Sequence, residues 1–426
     1  MNPRHYESWI DHSLLFRLLA LGYLMLVAVT WPLWIPQTVF PQVPLISMAA
    51  QIPSSVEWSL LIALLAALGG MLLIGKQKYC RWAALLTAIC TIGLVCLDQH
   101  RLQPWVWQFL ILSLVLAAAD ASTARTVWRW LVIGIYAWSG WSKLDQGFYF
   151  QHGPFLLEGL FKSLGLINVF RFWPETIRFA AAGMIPLFEL LIAAGLCWPR
   201  TRRLAVYAAA LMHVGLLLAL GPFGHSHQPG VLVWNVFFLS QNWMLFCGVN
   251  QSGKVIDGPL MVGAMPTDRT ARIRNSLARL VVIAALIWPV LEPFGLCDHW
   301  PAWAVYAARP ERVTVYLAEE EVEKLPANLK QYVGSQMVFD EWYEWHPFRI
   351  DRWSLDEVYV PLYPQDRFQV GVALGLVRRL QLQKIRIIIE GPAYWWIGKR
   401  SVREYVGPES IEKLADSFRF GARPRL

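Results

Sequence analysis

Charged residues and cysteines are both scarce in this sequence, and each shortage excludes some classes of protein. Charged residues form 16% of the 426 residues and hydrophobic residues 56%, whereas a soluble globular chain carries roughly 25% charged residues. That apolar content excludes a disordered or collagen-like chain, and six cysteines without a C-x-x-C pair do not indicate a disulfide scaffold, thiol redox chemistry or a zinc site. P-loop, G-x-G-x-x-G, G-x-S-x-G and H-E-x-x-H motifs are also missing. The composition, with 23 Trp and 14 Tyr suited to bilayer interfaces, is that of a membrane protein.

Nine apolar runs predict membrane-spanning helices. They cover about residues 14–35, 56–75, 82–97, 104–119, 127–144, 179–198, 204–221, 231–249 and 280–294. With the N-terminus in the cytoplasm, inner loops collect most of the loop Lys and Arg, including Lys254, whereas the outer loops 36–55 and 222–230 contain none. The positive-inside rule therefore predicts a multi-pass protein of the cell (inner) membrane with a cytoplasmic N-terminus and an extracytoplasmic C-terminal part.

The distribution of charge predicts two domains. Residues 1–297 contain 20 Lys and Arg against 12 Asp and Glu, while residues 298–426 contain 18 of each kind, so the net charge of +8 lies in the first part. Basic loops that set the orientation of the helices in the membrane explain this excess of Lys and Arg, so it does not indicate nucleic-acid binding. We expect an α-helical integral membrane bundle over residues 1–297 and a small extracytoplasmic α/β or α+β domain over residues 298–426.

The second domain alternates strand-like and helix-like runs. The strand-like runs are 313–318, 358–362 and 385–390, and the helix-like runs are 319–333, 365–380 and 409–418. Two aromatic groups stand out in this part of the sequence, and they comprise Trp342, Tyr343, Trp345, Tyr394, Trp395 and Trp396. The pattern favours core and interface aromatics over a ligand platform.

Ionisable groups inside the bilayer need a partner or a function. Tyr136, Ser139, Gly140 and Lys143 recur at i, i+3, i+4 and i+7, so they share one face of the fifth predicted helix, and Gly140 would allow close approach of another group. This face ends at the outer side. The alternative is a lysine that snorkels to the interface or pairs locally with Asp145.

Glu189 and His213 form a second polar set, on the sixth and seventh predicted helices. Those helices are antiparallel neighbours, and counting 1.5 Å per residue places both side chains near mid-membrane. Such a pair suits either a proton relay or a structural hydrogen bond that specifies helix packing.

Other polar side chains collect near the outer ends of the helices, where together with Lys143 they indicate an outward-opening pocket. They are Asp98, Asp145, His225, His227, Trp234 and Asn235. The H-x-H pair in the loop 222–230 is a weak metal signal, because most such histidines are merely solvated, and no metal is predicted.

Residues 136–145 resemble the Y-x-x-A-G-x-x-K-L-D segment of the HTTM membrane proteins, the family that contains vitamin K-dependent γ-carboxylase. The segment around Asp98 and the helices carrying Glu189 and His213 resemble the same family and the related DoxX/MauE-like membrane proteins. The resemblance implies that Lys143 acts as the base that deprotonates a membrane quinol of the vitamin K type. Asp98 and Asp145 would then orient Lys143, and Glu189 with His213 would be a relay or support.

The predicted pocket gives the remaining site residues of this hypothesis. The substrate-binding candidates are Tyr136, Ser139, Gly140, Trp234 and Asn235. Gln103-Pro104-Trp105 stands where the carboxylase has an asparagine-histidine, and residues 298–426 leave little room for a large substrate-docking part.

Two alternatives to a quinol enzyme stay open. DoxX/MauE-like relatives suggest a non-catalytic or quinone-linked thiol-redox accessory protein, in which a periplasmic or lumenal partner docks on the outer domain and carries the thiols that this chain lacks. In the other, the polar pocket serves only helix packing.

Overall fold

The computed structural model describes residues 3–247, 268–338, 344–394 and 397–425. Five residues named above lie outside the described residues, namely Lys254, Trp342, Tyr343, Trp395 and Trp396.

The chain divides into two compact units. Unit one comprises Met1–Ala28, Ile62–Thr91 and Pro104–Ala308, and unit two comprises Val29–Leu61, Ile92–Gln103 and Arg309–Leu426. Unit two thus joins the C-terminal residues to two earlier segments that contain helix ends and loops. The predicted domain boundary near residue 298 stays a prediction.

All nine predicted apolar runs lie largely within helices of the described chain. The helices are α1 (Pro3–Val29), α2 (Trp31–Trp34), α3 (Ser54–Leu73), α4 (Gln77–Leu97), α5 (Pro104–Ala118), α6 (Ala121–Ser142), α7 (Gly153–Ser163), α8 (Ile167–Phe172), α9 (Glu175–Cys197), α10 (Arg202–Leu220), α11 (Pro229–Phe246) and α12 (Arg269–Ile287). Short 3₁₀ turns lie at Ser47–Gln51, Gln99–Arg101 and Trp288–Phe294, and a π-turn lies at Phe148–His152.

Six of the described helical segments are long and apolar enough to cross a membrane. They are His12–Val29, Ser54–Leu73, Gln77–Leu97, Glu175–Cys197, Arg202–Leu220 and Arg269–Phe294. The protein is therefore a multi-pass helical membrane protein. The count of nine spans, the inner membrane and the sidedness of the C-terminal part stay predictions.

Aspartate side chains cap the first turns of α6 and α12. The Asp120 carboxylate accepts a hydrogen bond from the Thr123 backbone N–H at 2.8 Å and caps the first turn of α6. Asp268 caps α12 in the same way, through the backbone N–H groups of Thr270 and Ala271. Pro186 lies inside α9, where it lacks the N–H that would continue the helical ladder.

Unit two contains a five-stranded antiparallel sheet with helices, which makes it an α+β unit. The strands are β1 (Arg312–Ala318), β2 (Met337–Val338), β3 (Glu344–Phe348), β4 (Ile385–Glu390) and β5 (Val402–Val406), in the order β2-β3-β1-β4-β5. The helices are α13 (Glu319–Glu323), α14 (Ala327–Lys330), α15 (Ile350–Val358), α16 (Asp366–Leu380) and α17 (Pro408–Ser417).

Alternating apolar residues explain the core of this unit. In β4 the side chains of Ile385, Ile387 and Ile389 are buried while those between them are half-buried, the period-two pattern of a strand with one covered face. In register beside them lie Val313 and Val315 of β1, which pair with Ile389 and Ile387.

The strand predicted at 358–362 is wrong. Val358 is the last residue of α15, and Tyr359 takes a left-handed conformation with φ of 58°, which ends the helix. Pro361 follows without a backbone N–H to donate to a ladder. The predicted strands at 313–318 and 385–390 and the helices at 365–380 and 409–418 are confirmed within one residue at each end.

Candidate functional site

Lys143 and Glu189 form a buried ion pair in unit one. Lys143 follows the last residue of α6, and its Nζ lies 2.9 and 3.1 Å from the two carboxylate oxygens of Glu189 on α9. The same ammonium donates to the Ser139 carbonyl at 3.1 Å and contacts the Ser139 Oγ at 2.5 Å. Only 2% of Lys143 and 6% of Glu189 is exposed. Four oxygens therefore surround an ammonium with three N–H donors.

Gly140 makes this pairing possible. A Cβ atom added at Gly140 would lie 3.0 Å from the Pro186 carbonyl oxygen and 3.2 Å from the Glu189 Cβ. A side chain at this position would push α9 away from α6, so the expected close approach at Gly140 is confirmed.

A second polar network centres on Tyr136 and His213. The Tyr136 hydroxyl accepts a hydrogen bond from Asn242 Nδ2 and lies 2.6 Å from His213 Nε2. His213 Nδ1 lies 2.7 Å from Asn235 Oδ1, and Asn235 Nδ2 donates to the Val231 carbonyl at 2.8 Å. One assignment satisfies every contact: Tyr136 donates to Nε2, and a neutral His213 donates from Nδ1 to Asn235.

These contacts replace the direct pairing expected between Glu189 and His213. The two side chains bind different residues, since Glu189 binds Lys143, just after α6, and His213 binds Tyr136 of α6. Counting residues gave their depth in the bilayer, but the face that each helix presents depends on packing around α6. Their roles as a relay or support stay predictions.

Replacing Tyr136 with phenylalanine is expected to lower the free energy of unfolding by about 1–3 kcal/mol, because the amide of Asn242 and the ring of His213 both lose a buried partner. Chemical unfolding of the detergent-solubilised protein measures this change. Tyr207→Phe on α10 is the matched control, since 59% of Tyr207 is exposed. Equal stability of the two variants would contradict the network.

Trp234 belongs to a third network, one that also contains two glutamines the sequence reasoning missed. Its indole Nε1 donates to Gln108 Oε1 at 2.8 Å, and Gln108 Nε2 donates to Gln241 Oε1 at 3.0 Å. Trp128 donates to the same Gln241 oxygen at 2.9 Å. The sequence did contain a signal for these residues, because polar amides, including that of Asn242, are unusual in otherwise apolar helices.

The remaining candidates of unit one hold local structure. Asp145 Oδ1 accepts from the Phe148 N–H at 2.9 Å and thereby caps the π-turn, while Lys143 contacts Glu189 and Ser139 instead. His225 Nε2 lies 2.6 Å from the Phe155 carbonyl oxygen, and the two rings stack at 3.7 Å. His227 Nδ1 accepts from the backbone N–H of the next residue. In the described ranges, no group of three His, Cys, Asp or Glu side chains could hold a metal ion.

Asp98 belongs to unit two. Its Oδ1 accepts from the backbone N–H groups of His100 at 3.1 Å and Val43 at 3.4 Å, and the side chain is buried. Burial raises the pKa of Asp98 from 3.8 to about 6, although Arg101 opposes the shift. The predicted role of Asp98 in orienting Lys143 stays a prediction.

The shifted carboxyl group of Asp98 predicts a pH dependence of stability. Because its folded-state pKa is raised, the stability it contributes is complete below pH 3.8 and is lost as the pH rises through about 6. Asp98→Asn keeps the accepting oxygen and cannot ionise. As the pH rises through this window, the free energy of unfolding of the variant should increase relative to that of the natural protein by about 1.4 kcal/mol per pH unit. Chemical unfolding from pH 4 to 7 measures the difference, and a constant difference would contradict the shift.

One family model matches the region that contains the ion pair of Lys143 with Glu189 and the Tyr136 and His213 part of the second network. Residues 121–226 match the methylamine utilisation protein MauE family. The matched segment contains Tyr136, Lys143, Glu189 and His213 and stops before α11. The MauE-like resemblance is thereby supported for this part of a membrane protein, and the resemblance to the HTTM proteins and carboxylase is not. No curated protein and no solved structure matches the chain.

Proposed function

We propose that this protein is a MauE-like accessory membrane protein, in which unit one is a helical scaffold and unit two binds an extracytoplasmic partner protein. The match over residues 121–226 is the observation that carries the proposal. In this proposal the chain does not catalyse a reaction on its own.

The contacts of Lys143 favour a scaffold over a quinol-deprotonating enzyme. A general base needs a lone pair within reach of the proton it removes. The Lys143 Nζ instead lies between the Glu189 carboxylate and Ser139, which together offer more acceptors than the ammonium has N–H groups. The pair therefore joins α6 to α9 as a compensated buried charge.

The cysteines of this chain are poorly suited to thiol chemistry, so a partner protein would have to supply the reactive thiols. Each of the six cysteine side chains is buried or half-buried. Burial raises the pKa of Cys297, next to Asp298 and Glu292, so this thiol resists forming the reactive thiolate. Any dithiol would have to come from another protein.

Strand β5 offers a docking edge on unit two. It pairs with β4 on one side, and among the described residues no strand pairs with its other side. Val402 is 63% exposed and Val406 54% exposed. Exposed edge strands can accept an added strand from another chain, because main-chain groups supply the hydrogen bonds.

Site-specific photo-crosslinking in native membranes tests this proposal. A photoreactive amino acid at Val402 is expected to give one dominant adduct, which should persist when Lys143 is also replaced with alanine. Met337, 48% exposed on the opposite edge strand β2, is the control position and should give no such adduct. Equal labelling from both positions would contradict docking at β5. Loss of quinol turnover in Lys143→Ala, measured with supplied quinol, would contradict the accessory function.

A further inference from the structure

A groove of about 510 Å³ lies in unit one, beside the beginning of α4 and the end of α5. Three cationic side chains line it, namely Lys78, Arg81 and Arg274, and none of the described residues that line it carries a carboxylate. Grooves of several hundred Å³ are large enough for a small ligand.

Arg81 is held in place by the carboxyl-terminal end of α5. Its Nε donates to the Ala117 carbonyl at 3.2 Å, and its Nη2 donates to the carbonyls of Ala118 and Ala119. The negative end of the helix dipole also stabilises a guanidinium at this position. Its second terminal nitrogen, Nη1, makes no hydrogen bond within the described part of the chain, so a fixed cation keeps donor capacity at the groove.

Among the described residues, the three cations at the groove outnumber the carboxylates that interact with them. Arg81 and Arg274 repel each other electrostatically, while Asp120 attracts Arg81. Asp120 already accepts hydrogen bonds from Thr123 and Asn275. Neither Lys78 nor Arg274 has an ion pair or hydrogen bond among the described residues. An anion placed between these cations would relieve the repulsion.

The same groove has an apolar side at the start of a membrane-spanning helix. Trp82 and Leu85 follow Lys78 along α4, whose apolar length covers Gln77–Leu97. Trp82 is 62% exposed, as is common for a tryptophan at the level of lipid headgroups. Cationic and apolar groups thus meet in the order in which a phospholipid presents its phosphate and its acyl chains.

We propose that this groove binds the phosphate of an anionic phospholipid. Lys78, Arg274 and Nη1 of Arg81 are its donors, and Trp82 with Leu85 contact the first part of the acyl chains. A soluble phosphate ester shares the headgroup chemistry but lacks the apolar part, so the two ligands can be told apart.

Native mass spectrometry of the full-length protein in detergent tests the site by lipid titration. Dioleoyl phosphatidylglycerol is expected to bind at one saturable site, at least tenfold more tightly than dioleoyl phosphatidylcholine. Arg274→Gln should weaken this binding about fivefold, and Lys78→Gln with Arg274→Gln about 25-fold, since each cation near a membrane surface contributes a similar factor. Glycerol 3-phosphate should compete only at concentrations far above that of the lipid.

Arg269→Gln is the matched control, because Arg269 lies on the same helix α12, is exposed and does not line this groove. It should leave the affinity unchanged. Equal binding of the two lipids, or equal loss in Arg269→Gln and Arg274→Gln, would overturn the proposal. Competition by glycerol 3-phosphate at concentrations equal to those of the lipid would overturn its lipid part and identify a soluble phosphate ester as the ligand.

Discussion

Lys143→Ala is expected to lower the free energy of unfolding by about 3–5 kcal/mol, because it leaves the Glu189 carboxylate buried without its counter-charge. Glu189→Ala should cost a similar amount by stranding the ammonium. Chemical unfolding of the detergent-solubilised protein measures both. The control is Lys162→Ala, which removes the same charge from an exposed position at the end of α7.

A double variant separates the ion pair from other contributions of these side chains. Lys143→Met with Glu189→Leu removes both charges and keeps most of the apolar volume, so its loss of stability should be smaller than that of either single alanine variant. Losses that simply add would show that the two residues act independently and would contradict the pairing.

Glu57→Gln is expected to be at least as damaging in unit two, with a loss of about 3–5 kcal/mol in the free energy of unfolding. The Glu57 side chain is fully buried and pairs with two arginines, Arg101 and Arg425. It also accepts from Gln42 Nε2 at 2.7 Å. Glutamine retains the shape but leaves two guanidiniums with no counter-charge from this side chain.

Glu323→Gln is the control for Glu57→Gln, because Glu323 is exposed at the end of α13 in the same unit. Thermal unfolding of both variants in detergent makes the comparison. A melting temperature of Glu57→Gln equal to that of Glu323→Gln would show that the buried cluster contributes nothing to stability.

The helices and part of the candidate site could be predicted from the sequence because their signals are local. Apolar runs long enough for a bilayer mark the helices, and the spacing of Tyr136, Gly140 and Lys143 places them on one face of α6. The partners of that face were not predictable in the same way. Glu189 and His213 were recognised as costly polar residues, but the rotation of α9 and α10 about their axes decides which side chain each one contacts.

The polar residues of the loop after α4 show the same limit. Asp98 and Arg101 were visible as charges near a helix end, yet most of their hydrogen bonds are with backbone groups, some of them far along the chain. Arg101 donates to the Leu33 carbonyl at 2.9 Å and to the Leu94 carbonyl at 3.1 Å. Carbonyl groups occur at every residue, so the sequence carries no pattern that identifies these acceptors.

The pairing of Arg425 with Glu57 has a consequence for the order of events during synthesis. The two residues are 368 positions apart, and the Arg425 Nη1 lies 2.6 Å from the Glu57 Oε2. At a translation rate of 5–20 residues per second, Glu57 waits roughly 20–70 s before Arg425 is made. Arg101 is available early in that interval. Closure of this cluster is therefore a late event, completed only after the ribosome has added Arg425, 368 positions after Glu57.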